Sequence, residues 1–110
     1  MDIVGFKTPE LQAICESERE ANRKLGAPCA KKLRTRLSEI QAAPFATNLP
    51  AGNPHELKRE RTGEYSLSLV GLVRITFIPA NSPIPTKDGR IDWSKVNKVT
   101  IVYIGNYHDY

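Results

Sequence analysis

The sequence predicts an α+β fold in which two N-terminal helices pack on one face of a small, twisted, mainly antiparallel sheet. Apolar residues recur at helical spacing in the first half of the chain and alternate with polar residues in the second half. The predicted order of elements is β-α-α-β-β-β. The 110 residues suffice for one compact core, so we expect a single domain over residues 1–110.

The first quarter of the chain predicts a strand followed by a helix. Residues 2–7 form a short apolar segment typical of a strand. Thr8 is a suitable N-cap, Pro9 suits the first helical turn, and Gly26 is a typical helix end. Four apolar residues between these signals recur at helical spacing: Leu11, Ile14, Ala21 and Leu25. We therefore expect one helix between Thr8 and Gly26.

A second helix is predicted between Pro28, which suits a first helical turn, and Pro44, which ends it. The apolar face of this helix contains Ala30, Leu33, Leu37 and Ile40. Four basic residues flank that face: Lys31, Lys32, Arg34 and Arg36. Residues 45–54 are rich in proline and glycine and predict a loop.

The second half predicts a hairpin and a last strand. Residues 64–69 and 74–78 alternate apolar and polar side chains, and Gly71 between them suits a tight turn. Residues 79–95 predict a long connection that Trp93 anchors to the core, and the β-branched residues of 96–104 predict the last strand. Helices on one face of this four-stranded sheet leave the other face partly open, where polar side chains from different strands meet.

The charge is unevenly distributed along the chain. Residues 1–20 carry a net charge of −3, whereas residues 21–110 carry +7. A basic face of this kind raises the local concentration of RNA or DNA. No apolar run approaches the roughly 20 residues of a membrane span, so we expect a cytoplasmic protein without a membrane segment.

Neither metal chemistry nor serine hydrolase chemistry has support in the sequence. Cys15 and Cys29 have no neighbouring histidine, so we expect two reduced thiols rather than zinc ligands. The acidic residues are scattered, and neither an HExxH motif nor a GxSxG turn occurs. We expect neither a metal nor a cofactor.

The candidate catalytic residues are histidines and cations. His55 and His108, the only two histidines, fall at strand boundaries, and Arg74 lies on the polar side of a strand. Metal-free RNA cleavage needs a base for the 2′-hydroxyl, cations for the charged transition state and an acid for the leaving oxygen. Each residue also has an ordinary structural explanation, such as a surface ion pair for Arg74. A solvated charge run is the corresponding explanation for Lys58, Arg59 and Arg61.

Four short segments together resemble the plasmid-maintenance killer branch of the RelE/HigB toxins of bacterial type II toxin-antitoxin systems. They are residues 55–58 (HELK), 63–67 (GEYSL), 73–77 (VRITF) and 106–108 (NYH), in the family's order. The resemblance implies a RelE-like fold and a ribosome-dependent mRNA endoribonuclease that inhibits translation and arrests growth. It also implies a cognate HigA-like antitoxin with a helix-turn-helix domain, so that DNA is contacted only through the antitoxin.

The resemblance also implies roles for individual residues. His55 and Lys58 would flank the scissile phosphate, and Arg74 would stabilise the transition state. Tyr107 and His108 would orient the substrate and move protons, and either histidine is a candidate for the base. We expect further RNA contacts from basic side chains elsewhere: Lys31, Arg34, Arg59 and Arg61.

The sequence departs from the family pattern in three places. Asn106 replaces the usual aspartate, which removes a carboxylate that could orient His108. Residues 70–72 lack a basic side chain that often precedes the RITF strand. The connection over residues 79–95 is longer than in the shortest family members, and its prolines and Trp93 would serve either antitoxin docking or packing.

Two other classes of function remain open. A ParE-like protein has the same scaffold but poisons DNA gyrase by binding and has no nuclease centre. A small basic RNA-binding protein without activity is the other alternative, although the exposed aromatic pair typical of such sheets is not evident. The polar set of His55, Lys58, Arg74, Tyr107 and His108 favours the nuclease.

Overall fold

The computed structural model describes residues 1–106. Its helices are α1 (Pro9–Glu16), α2 (Glu18–Leu25) and α3 (Ala27–Ala42). Its strands are β1 (Asp2–Phe6), β2 (His55–Glu56), β3 (Tyr65–Ser68), β4 (Arg74–Pro79), β5 (Thr86–Lys87), β6 (Arg90–Ile91) and β7 (Lys98–Gly105). Short 3-10 turns lie at Ala46–Asn48, Arg59–Arg61 and Trp93–Lys95.

The main sheet has the strand order β1-β7-β4-β3-β2. β1 runs parallel to β7, and the other neighbours are antiparallel. Leu67, Ile75 and Phe77 of the central strands are fully buried in one core with Leu33 and Ile40 of α3. The predicted α+β fold, with helices on one face of a mainly antiparallel sheet, is therefore confirmed. None of the helices within residues 1–106 has the length and apolar character of a membrane span.

The first predicted helix is in fact two helices, because Ser17 interrupts it. Ser17 has extended backbone angles (φ −119°, ψ 116°), and its hydroxyl accepts a hydrogen bond from Glu20 N at the start of α2. A serine followed three residues later by glutamate is the capping-box signature of a helix start. The apolar spacing continues across Ser17, which is why the break does not show in the periodicity.

The helix predicted between Pro28 and Pro44 is α3, and both of its predicted ends are confirmed to within a residue or two. The ammonium group of Met1 donates hydrogen bonds to the carbonyls of Ile40, Gln41 and Ala43. The C-terminal end of a helix carries partial negative charge, so this cation stabilises it.

The sheet and the 79–95 connection contain more strands than predicted. The two-residue strand β2 adds a fifth strand at one edge, beside β3. Within the connection, β5 and β6 pair as a small hairpin whose turn residues Asp88 and Gly89 both have positive φ (55° and 77°). An Asp-Gly pair is the usual signal for such a turn. Trp93 is buried, which confirms its predicted role as the anchor.

Candidate functional site

The strand register places a row of polar side chains on the sheet face that points away from the helices. His55 of β2 is paired with Ser66 of β3, which is paired with Thr76 of β4, and Thr76 is paired with Tyr103 of β7. The intervening residues face the core, so these four share the opposite face. We call this surface the helix-free face.

His55 is exposed at the edge of the helix-free face and is held in one tautomer. Its Nδ1 lies 2.7 Å from the carbonyl oxygen of Asn53. A carbonyl oxygen only accepts hydrogen bonds, so Nδ1 carries the proton and donates it. The neutral imidazole therefore has its lone pair on Nε2, which is the nitrogen that acts as a base. Asn53 adopts positive φ (50°), and its carbonyl oxygen lies beside Nδ1 of the ring.

Arg74 lies on the same face but one step further along the strands. It is paired with Ser68 and with Gly105, two residues beyond the row that contains His55. Arg74 lies two strands away from His55 across the sheet and two residues further along the strand direction. Their Cα atoms are therefore about 12 Å apart. The Arg74 guanidinium, which donates to the carbonyls of Gly71 and Val73, points toward the hairpin turn rather than toward His55.

The guanidinium of Arg74 is fixed on one side. Its Nη1 donates to the carbonyl oxygens of Gly71 (3.0 Å) and Val73 (3.1 Å) at the hairpin turn. These bonds use both Nη1 hydrogens and point the side chain toward the turn. The Nε and Nη2 donors bind no partner in the part of the chain that the structure describes. Two parallel N–H groups of this kind match two oxygens of a phosphate.

The centre of the helix-free face carries a polar cluster. Glu64 accepts a hydrogen bond from Thr76 Oγ1 (2.7 Å) and forms an ion pair with Arg61 (2.9 Å). The Arg61 guanidinium lies 4.1 Å from the centre of the Tyr103 ring, a cation–π contact. Ser66 and Thr76 are fully buried although they face away from the helices. The centre of this face is thus not exposed to solvent. Arg61 belongs to a network of ionic and cation–π contacts rather than to a solvated charge run.

Arg36 anchors the loop that leads to His55. Its Nε donates to the carbonyl oxygen of Ser68 (3.0 Å), and its Nη1 pairs with Glu39 (2.8 Å). Ser68 N in turn donates to the carbonyl oxygen of Gly52 (2.8 Å), the residue before Asn53. The expectation that Arg36 flanks the apolar face of α3 is wrong in this respect. The side chain is buried because two hydrogen-bonding partners compensate its desolvation.

Glu56 points to the other side of the edge strand from His55. Its Oε1 accepts from Trp93 Nε1 (2.6 Å) and its Oε2 accepts from Gly63 N (3.2 Å). Lys58 does not join the polar cluster on the helix-free face. It is exposed and lines a cleft with Glu56, between the 57–63 segment and the β5–β6 hairpin.

The predicted RNA-binding residues do not form one surface. Lys31 and Arg34 are exposed on α3, in the helical layer on the far side of the sheet, and Arg34 lies 3.6 Å from Glu18. Arg59 is exposed beside the edge strand with positive φ (60°). Of these residues, Arg61 alone is brought to the helix-free face.

The C-terminal members of the predicted site, Tyr107 and His108, lie outside the described residues. The described chain ends at Asn106, one residue after the Gly105 that pairs with Arg74. Within residues 1–106, no three histidine, cysteine, aspartate or glutamate side chains group as metal ligands would. Cys15 and Cys29 are free thiols, as predicted.

Sequence reasoning missed four contributors to the site. In the sequence, Arg36 and Glu64 look like ordinary surface charges. Helical or strand periodicity does not show that a charged side chain is buried in an ion pair. The carbonyl of Asn53 acts through its backbone, although Gly-Asn-Pro is a typical turn signal. Tyr103 faces outward because β7 shifts register between its pairs with Thr76 and Phe77, and periodicity does not reveal such a bulge.

No protein-family profile and no curated protein matches the sequence. Among solved structures, a YoeB/ParE toxin from Agrobacterium tumefaciens is similar over 97% of this chain and 99% of that one, with a TM-score of 0.59 and 14% sequence identity. A YoeB-YefM complex from Staphylococcus aureus is similar over 96% of this chain and 95% of its own, with a TM-score of 0.59 and 17% identity. At these identities the similarity shows a shared fold. The RelE-like fold is confirmed, and the plasmid-maintenance killer branch remains a prediction.

Proposed function

We propose that this protein is the toxin of a type II toxin-antitoxin system and acts as a metal-independent, ribosome-dependent mRNA endoribonuclease. The observation that carries the proposal is a base-competent His55 on the same sheet face as Arg74, whose Nε and Nη2 donors are available in the described chain. The fold shared with the YoeB-type toxins supports it. The segments that resemble the RelE/HigB toxins support it as well.

In the proposed reaction, the substrate's own 2′-oxygen is the nucleophile. His55 Nε2 takes the proton of the 2′-hydroxyl as that oxygen attacks the adjacent phosphorus. The bond from phosphorus to the 5′-oxygen breaks, leaving a 2′,3′-cyclic phosphate. The 5′-oxygen leaves as a hydroxyl after taking a proton from an acid, for which Tyr107 or His108 is proposed. Arg74 stabilises the added negative charge on the phosphate oxygens, and Lys58, which lines the Glu56 cleft, contributes only to the attraction of the RNA.

We propose that a cognate antitoxin binds this protein and keeps it inactive while cells grow. One of the similar structures was solved as a complex of YoeB with YefM, which supports a protein partner for this chain. We propose a HigA-like antitoxin with a helix-turn-helix domain that covers the surface around His55 and Arg74 and blocks access of mRNA. Ribosomes and mRNA as targets imply that the protein acts in the cytoplasm.

A ParE-like gyrase poison is the second candidate, because the A. tumefaciens protein is described as a YoeB/ParE toxin and one fold serves both activities. A gyrase poison acts by binding, so it does not need a histidine whose lone pair is directed to solvent. The orientation of His55 by the Asn53 carbonyl therefore favours the nuclease.

The test compares Arg74→Ala with Arg19→Ala, which removes the same charge from an exposed position of α2. Each variant is induced in cells while growth and the 5′ ends of cellular mRNAs are followed, and cleavage is then measured on purified ribosomes. Loss of one transition-state donor lowers cleavage by about 100–1000-fold, so Arg74→Ala abolishes growth arrest and Arg19→Ala retains it. Full toxicity of Arg74→Ala at equal protein level contradicts the proposal. Growth arrest with DNA damage and intact mRNA supports the gyrase alternative.

A further inference from the structure

The strongest unassigned feature is the cleft on the outer side of the edge strand β2. Its volume is about 610 Å³, within the roughly 300–1,000 Å³ range of small-ligand sites. Leu57 and Ile91 supply apolar surface, and Gly63 and Gly89 line the cleft with backbone alone. Apolar side chains next to glycines, which have no side chain, leave room for a flat and largely apolar ligand.

The carboxylate of Glu56 lies in this cleft with a fixed orientation. Trp93 Nε1 donates to one oxygen (2.6 Å) and Gly63 N to the other (3.2 Å). Each carboxylate oxygen has a second lone pair, so Glu56 presents two adjacent acceptors in a fixed plane. The matching ligand carries two adjacent N–H donors. Among the RNA bases, guanine has this pair in its N1–H and its 2-amino group.

The charges at the rim of the cleft select an anionic ligand. Lys58 and Arg90 are exposed beside Glu56, and neither forms a salt bridge within residues 1–106. A guanidinium group also carries paired donors, but these two cations repel it. The phosphates on either side of a nucleotide are attracted by the same cations.

We propose that the cleft between residues 57–63 and the β5–β6 hairpin binds a guanine base of single-stranded RNA through Glu56. This inference rests on the proposed nuclease function for its biological substrate. His55 and Glu56 are consecutive on the edge strand and face opposite sides. The bound guanine therefore belongs to a nucleotide adjacent to the cleavage site, and it makes cleavage favour positions next to guanine.

The binding test uses the full chain and short fluorescent oligouridines with one central guanosine, inosine or adenosine, all carrying 2′-O-methyl groups that prevent cleavage. Inosine lacks only the 2-amino group. The wild-type protein binds the guanosine oligomer about tenfold more tightly than the adenosine oligomer, with inosine between them. Equal affinity for all three oligomers, or no measurable binding, overturns the inference.

Three variants test whether the preference belongs to the cleft. Glu56→Gln keeps an acceptor for Trp93 but replaces one base acceptor with a donor, so the guanosine preference falls to about twofold or less. Glu60→Gln removes the same charge from an exposed position outside the cleft and retains the preference. Arg90→Ala weakens binding of all three oligomers by a similar factor. A guanosine preference that survives Glu56→Gln places the base elsewhere and overturns the inference.

The outcomes for this cleft are separable from those for nuclease activity. Guanosine-selective binding by a protein that cleaves no mRNA supports the cleft and contradicts the nuclease. Ribosomal cleavage without any guanine preference, in binding or at the cut sites, contradicts the cleft and leaves the nuclease intact. Binding of an arginine peptide in preference to the guanosine oligomer assigns the cleft to a protein partner and overturns the proposal. If Glu56→Gln does not fold, the guanosine and inosine comparison on the wild-type protein decides.

Discussion

Substitution of Gly52 by alanine tests the Arg36 anchor. Gly52 has positive φ (89°), and a Cβ there lies 2.7 Å from Arg36 Nε. The left-handed backbone costs an alanine about 1–2 kcal/mol. Displacing the guanidinium breaks its bond to the Ser68 carbonyl, a charged hydrogen bond of about 1.5–3 kcal/mol. We therefore expect Gly52→Ala to lower the free energy of unfolding by about 2.5–5 kcal/mol.

Gly89→Ala is the matched control for this change. Gly89 has nearly the same positive φ (77°), but no atom lies within 4 Å of the added Cβ. We expect it to cost only the backbone term of about 1–2 kcal/mol. In an Arg36→Ala background, the cost of Gly52→Ala falls to that of the control, because its clashing partner is absent.

The assay is urea unfolding followed by fluorescence of Trp93, which is the only tryptophan of the chain and is buried 4.5 Å from the Tyr65 ring centre. Unfolding exposes the indole to water and changes its emission. The reasoning about Arg36 is refuted if Gly52→Ala and Gly89→Ala lower stability equally, or if the cost of Gly52→Ala is unchanged without Arg36.

Three further predictions concern single groups. Ser17→Ala removes the N-cap of α2, so stability falls by about 1 kcal/mol in urea, whereas Ser17→Asp retains it. Burial, and then the charge of Glu16, raise the pKa of Cys15 to about 12. Cys15 of the native protein should therefore not react with iodoacetamide at neutral pH, and a native adduct mapped to Cys15 would count against this. Burial, and then the Glu56 charge, raise the pKa of Tyr65, so stability is complete below the unfolded phenol's pKa of about 10 and falls at higher pH. Tyr65→Phe should make urea unfolding less sensitive to pH in that alkaline range.

The elements that sequence patterns predicted are those with strong local signals. The bounds of α3 follow from two prolines, and the β3–β4 hairpin follows from strict alternation around Gly71. The sequence analysis missed the break at Ser17 and the β5–β6 hairpin, although a capping box and an Asp-Gly pair indicate them. At Ser17 the apolar stripe that continues across the break outweighed the capping box. In residues 79–95 the proline-rich composition outweighed the Asp-Gly pair.

Two side chains of the candidate site could be placed on one sheet face from the sequence, but the groups that orient them could not. His55 and Arg74 were identified from the sequence, and the register places both on the helix-free face. Their orientation depends on carbonyl groups of residues 53, 71 and 73, which any residue type supplies. The burial of Arg36 depends on Ser68, which is 32 residues away. Contacts at such separation leave no periodic trace in a single sequence.

The position of β7 in the sheet has a consequence for synthesis of the protein. β7 is the last strand in the described sequence, yet it lies between β1 and β4 and provides Tyr103 and Gly105 beside Thr76 and Arg74. A ribosome that has released only the first 97 residues has therefore made an N-terminal strand with no neighbour. Pairing between segments this distant in sequence is also slow to form. The nascent chain is thus incomplete as a folded unit, and its polar row unassembled, until residues 98–105 have left the ribosome.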